Sequence, residues 1–253
     1  MLSIQKAREE FDRYVSGYNK DDFKIALKIN HSYRTAAYAR KIGMAIGVDA
    51  DLAELIGLLH DIGRFEQIRI YNTFCDKESV DHADLGAEIL ETNNYIEKYC
   101  DDKETQKLII KAVKYHNKYK IAEDIDGEEL TYCKLIRDAD KIDILNYMEY
   151  ENITKLFNFE AILKDDISNN VYEEMLASKV VNRYDAKTEL DDYMLEVGFV
   201  YDVNYDISIE LIKKNKSIDK LCDLIKDAKE KDKIKDIKEH VDEYMDERIS
   251  NIK

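Results

Sequence analysis

No proline occurs anywhere in the 253 residues, and glycine occurs only eight times. Proline removes a backbone donor and clashes with the preceding helical turn, and glycine costs about 1 kcal/mol in a helix interior. Their scarcity removes the commonest interruptions of helices and permits long ones, so an all-α fold is the first expectation. With 45% hydrophobic and 37% charged residues, the chain has material for a core beneath a heavily charged surface, and it should be folded throughout.

Apolar spacing supports this. Ile4, Ala7, Phe11 and Val15 recur at three- and four-residue steps, which makes one apolar helix face ending near Gly17. Asp21 or Asp22 can cap a second helix through Ile25, Ile29, Ala36, Ala39 and Ile42 toward Gly43 or Gly47, with His31 near its middle. Asp49 and Asp51 open a third, whose stretch from Leu52 to Leu59 is apolar nearly all round and therefore belongs in the centre of the core. Gly63 is expected to let the backbone turn, and Arg64 to Val80, lacking a clean period, reads as a loop or broken helix. Within it Tyr71, Phe74 and Asp76 suggest a substrate-selecting wall.

Helical pattern restarts at Asp81 and runs through Leu85, Ile89 and Leu90; Leu108, Ile109, Ala112 and Val113 lead another helix up to His116. After a polar turn from Asp124 to Gly127, the series Leu135, Ile136, Ala139, Ile142, Leu145 and Met148 forms a long helix carrying Asp140. Amphipathic segments follow at Tyr172–Ala177, Leu190–Val197, Ile207–Ile212 and Ile218–Ile225, then a charged helix with Ile234, Ile237, Val241 and Met245 on one stripe. No strand is predicted. Without internal repeats or a Gly/Ser/Pro linker, the expectation is one helical domain over residues 1–253, a compact multi-helix bundle with a core of about 22–150 and a C-terminal helical extension of about 153–253.

A net charge of -15 would repel a phosphate backbone, which disfavours a nucleic-acid scaffold role. A small phosphorylated substrate stays compatible, because a pocket is governed by the groups that line it. Cys75, Cys100, Cys133 and Cys222 form no Cys-x-x-Cys pair, so neither a zinc knuckle nor a disulfide framework is indicated. Acidic residues stand where a signal peptide needs its apolar stretch, and no run reaches about 18 apolar residues; a cytoplasmic protein without a membrane role is expected. Oligomeric state is left open.

Four of the five histidines, His31, His60, His82 and His116, fall in the first half, on or at the ends of predicted core helices. A lone histidine there is usually a hydrogen-bonded core residue, but His60 is followed at once by Asp61. Imidazole with carboxylate suits Mn, Fe, Co, Ni or Zn, and Mg less well. Ligands from separate helices can converge in a bundle core: His31, His60, Asp61 and Asp140 would serve one cation, His82 and His116 a second. The fifth histidine, His240, lies in the charged tail and reads as a structural residue.

Three motifs in this order, His31 on a helix, Leu58-Leu59-His60-Asp61-Ile62-Gly63-Arg64-Phe65, and Arg137-Asp138-Ala139-Asp140-Lys141-Ile142-Asp143, resemble the HD-domain superfamily of metal-dependent phosphohydrolases. The resemblance spans roughly residues 25 to 150 in order, spacing and the apolar context of the doublet. In two-metal members two further histidines lie between the doublet and the last aspartate, and Asp81-His82-Ala83-Asp84-Leu85-Gly86 and Lys114-Tyr115-His116-Asn117 occupy those places. The resemblance thus implies a dinuclear site with His31, His60, Asp61, His82, His116 and Asp140 as ligands and Asp61 as the bridge.

It also implies hydrolysis of a phosphomonoester or phosphodiester, such as a nucleotide, by a metal-bound hydroxide, with Asp61 and Arg64 catalytic. Arg64 could pair bidentately with phosphate oxygens, and Arg34 lies one helical turn from His31. Arg137 and Lys141 are weaker candidates, Asp138 and Asp143 could orient neighbouring ligands or face water, and Glu66 and Asn117 are open between the two. Members that cleave cyclic dinucleotides carry a Gly-Tyr-Pro signature, which a proline-free chain lacks, and alarmone hydrolases carry an acidic pair where Gly63 and Arg64 stand. A di-iron oxygenase of the same superfamily is one competing reading, although that branch tends to have lysine at the place of Arg64. A non-catalytic nucleotide-binding or sensor module is another.

Overall fold

The structure, a computed structural model, describes residues 3–147 and 150–250, and every regular element among them is helical. The chain packs as two units, residues 1–140 and 141–253. In the first unit, α1 is Ile4–Val15, α2 Phe23–Ile46, α3 Ala50–Leu59, α4 Ile62–Tyr71, α5 His82–Glu91 and α6 Lys103–Tyr115, followed by α7, Gly127–Tyr147. Short side chains start these helices where the sequence suggested. Asp22 accepts from the Lys24 amide, Asp49 from Asp51 and Leu52, and Asp81 from Ala83 and Asp84, each relieving donors that a helix start leaves open.

The position of α3 follows from its composition. Every residue from Leu52 to Leu59 is buried, so α1, α2 and α6 can all pack against it. The one charge in that stretch, Glu54, is paired with Arg8 and Arg40, as a buried carboxylate requires. Burying Leu55, Ile56, Leu58 and Leu59 stabilises the fold by roughly 1.5–3 kcal/mol each. Gly57 permits the approach of α2, because a Cβ there would lie 2.7 Å from the Ala36 Cα. This contact brings the middle of α2, with His31, against the end of α3, with His60.

Of the two readings open for Arg64 to Val80, the broken helix is the one found, and the turn expected at Gly63 is corrected. The segment is a regular helix as far as Tyr71, followed by a short 3-10 helix at Asp76–Glu78. Its buried face holds Ile62, Phe65 and Ile68 but also the fully buried Gln67, and that polar member obscures the apolar period. Gly63 does not turn the chain: it lies inside α4, where a Cβ would fall 2.2 Å from the His82 carbonyl oxygen and 2.6 Å from the Gly86 amide. The glycine is there for space, allowing α4 to touch α5.

In the second unit, α8 is Tyr150–Leu156, α9 Phe159–Lys164, α10 Asn169–Leu176, α11 Glu189–Val197, α12 Asp206–Lys214, α13 Ser217–Leu224 and α14 Lys231–Ser250. Ile234, Ile237, Val241 and Met245 are buried on α14, which packs against α10, α12 and α13. His240 meets the Ser178 hydroxyl at 3.0 Å, in keeping with a structural residue. Met148 lies outside the described residues. Among those residues no helix is long and apolar enough to cross a membrane.

Candidate metal centre

The backbone delivers four imidazoles and two carboxylates to one buried place in the first unit. His31 sits on the stripe of α2 that also carries Leu27 and Thr35; all three are buried. His60 terminates α3, and Asp61 is the residue from which α4 starts. An aspartate in that position normally caps the helix with its carboxylate. Asp61 makes no such bond, so both its oxygens are turned to other partners. His82 begins α5, His116 follows α6, and Asp140 projects from α7.

Two donor sets result. In the first, His31 Nε2 lies 3.1 Å from His60 Nε2, 3.5 Å from Asp61 Oδ2 and 3.1 Å from Asp140 Oδ1. His60 Nε2 is 3.6 Å from the same two oxygens. In the second, Asp61 Oδ1 lies 3.2 Å from His82 Nε2 and 3.7 Å from His116 Nε2, and the two imidazole nitrogens are 3.0 Å apart. Ligands held about 2.1 Å from one cation are separated by roughly 3.0–3.5 Å in octahedral or tetrahedral arrangements. Both sets therefore fit a divalent cation, and Asp61 gives one oxygen to each.

The far side of each ring is also arranged for this. Nδ1 faces the Gly57 carbonyl at 2.8 Å in His60, the Val113 carbonyl at 2.6 Å in His116, Asp76 Oδ2 at 2.7 Å in His82 and Thr35 Oγ1 at 3.5 Å in His31. A carbonyl or carboxylate at Nδ1 fixes the proton there and leaves the Nε2 lone pair for a cation. Arg137 Nη1 donates to the carbonyls of Tyr115 and His116, at 3.2 and 3.3 Å, and to that of Lys118. It thereby pins the end of α6 that carries His116.

Electrostatics keep the carboxylates charged. Burial alone would raise Asp61, but the Lys28 ammonium and the surrounding imidazoles outweigh it and hold the carboxyl well below its usual range. Burial likewise opposes ionisation of Asp140, and its bonds to His31 and His60 overcome it. Burial pushes His116 down to about 4 against the pull of Asp61. Deprotonated carboxylates and a neutral imidazole are the forms that bind metals.

Of the other residues singled out by sequence, Arg64 comes close: its Nε is 3.6 Å from Asp61 Oδ1, while Nη1 is tied to Gln67, Phe74 O and Asp76 at 2.5–2.8 Å. Arg34 is half-buried one turn beyond His31. Asn117 donates toward Asp76 and Asp81 at 3.2–3.3 Å, and Asp138 is buried. Glu66 turns instead to Tyr18 and Arg69. In the second unit Asp143 is buried and Lys141 pairs with Asp202 at 2.8 Å.

Lys28 escaped the sequence reading: its Nζ is 2.7 Å from Asp61 Oδ2. Its one available signal was a place one turn before His31 on the same helix face. Asp76, expected on a substrate wall, instead contacts His82 and Arg64.

Comparison with known proteins adds three findings. Residues 29–145 match the HD domain family. A deoxyguanosinetriphosphate triphosphohydrolase-like protein of Corynebacterium diphtheriae is 53% identical over 44 residues, a match that takes in 17% of this chain and 10% of the relative's length. No solved structure matches the chain.

Proposed function

We propose that this chain, whose residues 29–145 match the HD domain family, is a dinuclear, metal-dependent phosphohydrolase of a small phosphorylated substrate, acting in the cytoplasm. The observation that carries the reading is the division of Asp61 between two donor sets, Oδ2 toward His31 and His60 and Oδ1 toward His82 and His116. A hydrogen-bonded core cluster would have no reason to present four ring nitrogens and three carboxylate oxygens at cation-ligand spacing.

In this reading His31, His60, Asp61 and Asp140 hold one divalent transition cation, and Asp61, His82 and His116 hold the other. Bound there, such cations would supply Lewis acidity toward a phosphoryl oxygen and lower the pKa of water. The chain's own groups do the rest. Asp61 fixes the spacing of the two donor sets. Arg64 Nε is buried without a hydrogen-bond partner among the described residues, and with Lys28 Nζ it offers positive charge beside Asp61 to phosphate oxygens. Arg34, further along α2, is assigned to the more distant part of the substrate. Lys28, Arg64 and Asp140 keep 14–17% side-chain exposure while Asp61 and the four imidazoles keep 6% or less. Substrate therefore enters past the partly exposed groups, and water is restricted around the others.

The test is metal content of the purified protein together with hydrolysis of phosphomonoesters, phosphodiesters and nucleoside triphosphates, dGTP included, under Mn, Fe, Co, Ni, Zn and Mg in turn. Two cations per chain and release of phosphate or polyphosphate from one substrate class would support the reading. Two irons with oxygen consumption and no hydrolysis would replace it with an oxygenase, and protein that takes up no cation would remove the site assignment.

A further inference from the structure

We infer that Asp76 is the positioning residue that sets the affinity of the second donor set, His82, His116 and Asp61 Oδ1, independently of the first; this rests on the dinuclear reading above. Of the four imidazoles, His82 has a carboxylate at Nδ1, with Asp76 Oδ2 at 2.7 Å, whereas His60 and His116 face carbonyls and His31 a threonine hydroxyl. A carboxylate at Nδ1 does more than orient the ring: it raises the basicity of the opposite nitrogen, as a carbonyl does only weakly.

The neighbours of Asp76 are arranged to keep that carboxylate in place. Its Oδ1 accepts from Arg64 Nη1 at 2.7 Å and from Gln67 Nε2 at 2.8 Å, and Asn117 Nδ2 stands 3.3 Å from Oδ2. Gln67 also donates to Ser79 Oγ and the Val80 carbonyl at 2.9 Å, and Arg64 to the Phe74 carbonyl at 2.5 Å. Two side chains of α4 thus staple the segment between α4 and α5 at several points and hold the Asp76 carboxylate against His82. Asp76, Asp81 and His82 also lie close enough to suggest a third cation site. Asp76 Oδ1 is already committed to Arg64 and Gln67, and Asp81 to Lys118 and the α5 amides, so the group acts as support for His82.

The experiment is titration of chelator-stripped full-length protein with Mn²⁺, followed by calorimetry and metal analysis, in wild type, Asp76→Asn and Asp76→Glu. Wild type should take up two cations. Asp76→Asn should bind the first with affinity changed less than about threefold and the second about 10–100-fold more weakly. Asp76→Glu should recover most of the loss. A purely structural role would weaken both events together, and that result, or no change in either, overturns the inference. If wild type binds no cation or only one, the dinuclear reading fails and this inference with it; if wild type binds two, only the ratio of the two affinities decides. Should Asp76→Asn fail to fold, the imidazole ¹⁵N spectrum of metal-free wild type serves instead. His82 protonated at Nδ1 agrees with the inference, and a proton on Nε2 contradicts it.

Discussion

Lys28 Nζ lies 2.7 Å from Asp61 Oδ2, on the same carboxylate oxygen that faces His31 and His60. In the metal-free protein this ammonium is the nearest compensation for a carboxylate with only 3% of its side chain exposed. Removing one partner of such a pair leaves an uncompensated buried charge, at a cost of about 3–5 kcal/mol when burial is complete and less here because Lys28 is partly exposed. Lys28→Met should therefore lower the melting temperature of chelator-treated protein by several degrees and recover most of that loss on adding Mn²⁺. Equal destabilisation with and without metal would contradict the relationship. In turnover assays the same variant should lower kcat/KM about tenfold or more through lost phosphate binding.

Asp61→Asn keeps the shape but removes the charge shared by the two donor sets and turns one acceptor oxygen into an amide donor. Loss of Lewis acidity is worth several kcal/mol, so kcat should fall by about a thousandfold, and metal content should drop for both cations. His116→Asn should reduce uptake of one cation only. Metal analysis of the two variants side by side checks the bridging arrangement, and uptake of two cations by Asp61→Asn would refute it.

Gly63→Ala adds a methyl where the His82 carbonyl oxygen would be 2.2 Å away and the Gly86 amide 2.6 Å away. Both obstacles are backbone, so α4 and α5 must separate. The expected loss of stability is about 2–4 kcal/mol, read as a lower urea midpoint, with weaker uptake of the second cation because His82 moves with α5. Gly17→Ala, near only the Tyr14 carbonyl oxygen at 3.4 Å, serves as the mild comparison.

Thiol reactivity should separate the cysteines. Burial pushes the Cys133 and Cys222 thiols up to about 12, which leaves about one part in ten thousand as thiolate at pH 8. Cys100 is also buried and Cys75 only half-buried. Mass spectrometry of the native protein after alkylation should find Cys75 modified first and the other three protected until denaturant is added.

The helices that were legible in the sequence are those whose apolar spacing is uninterrupted and whose starts carry Asp, such as α2, α3 and α5. The helix α4 was obscured because Gln67, a polar residue, occupies its buried face to hold the Asp76 segment. A period count cannot distinguish a buried amide that satisfies a loop from a solvent-facing one. Gly63 was misread for a related reason: the sequence shows a missing side chain, and only the packed structure shows whether that absence serves a turn or a close contact.

The sequence by itself determined the all-α class, the core position of α3, and the residue types whose order resembles an HD domain, because these depend on local propensity, on periodicity and on motifs of fixed spacing. Tertiary structure decided that Asp61 faces two donor sets, that Lys28 lies against it, that Arg64 is half committed to Asp76, and that Arg137 pins the end of α6 carrying His116. Each of those depends on distances of about 3–4 Å between residues 12 to 55 positions apart in the chain. A hydrogen bond is lost within about an ångström beyond its normal length, and sequence spacing carries no information at that resolution until the helices are packed.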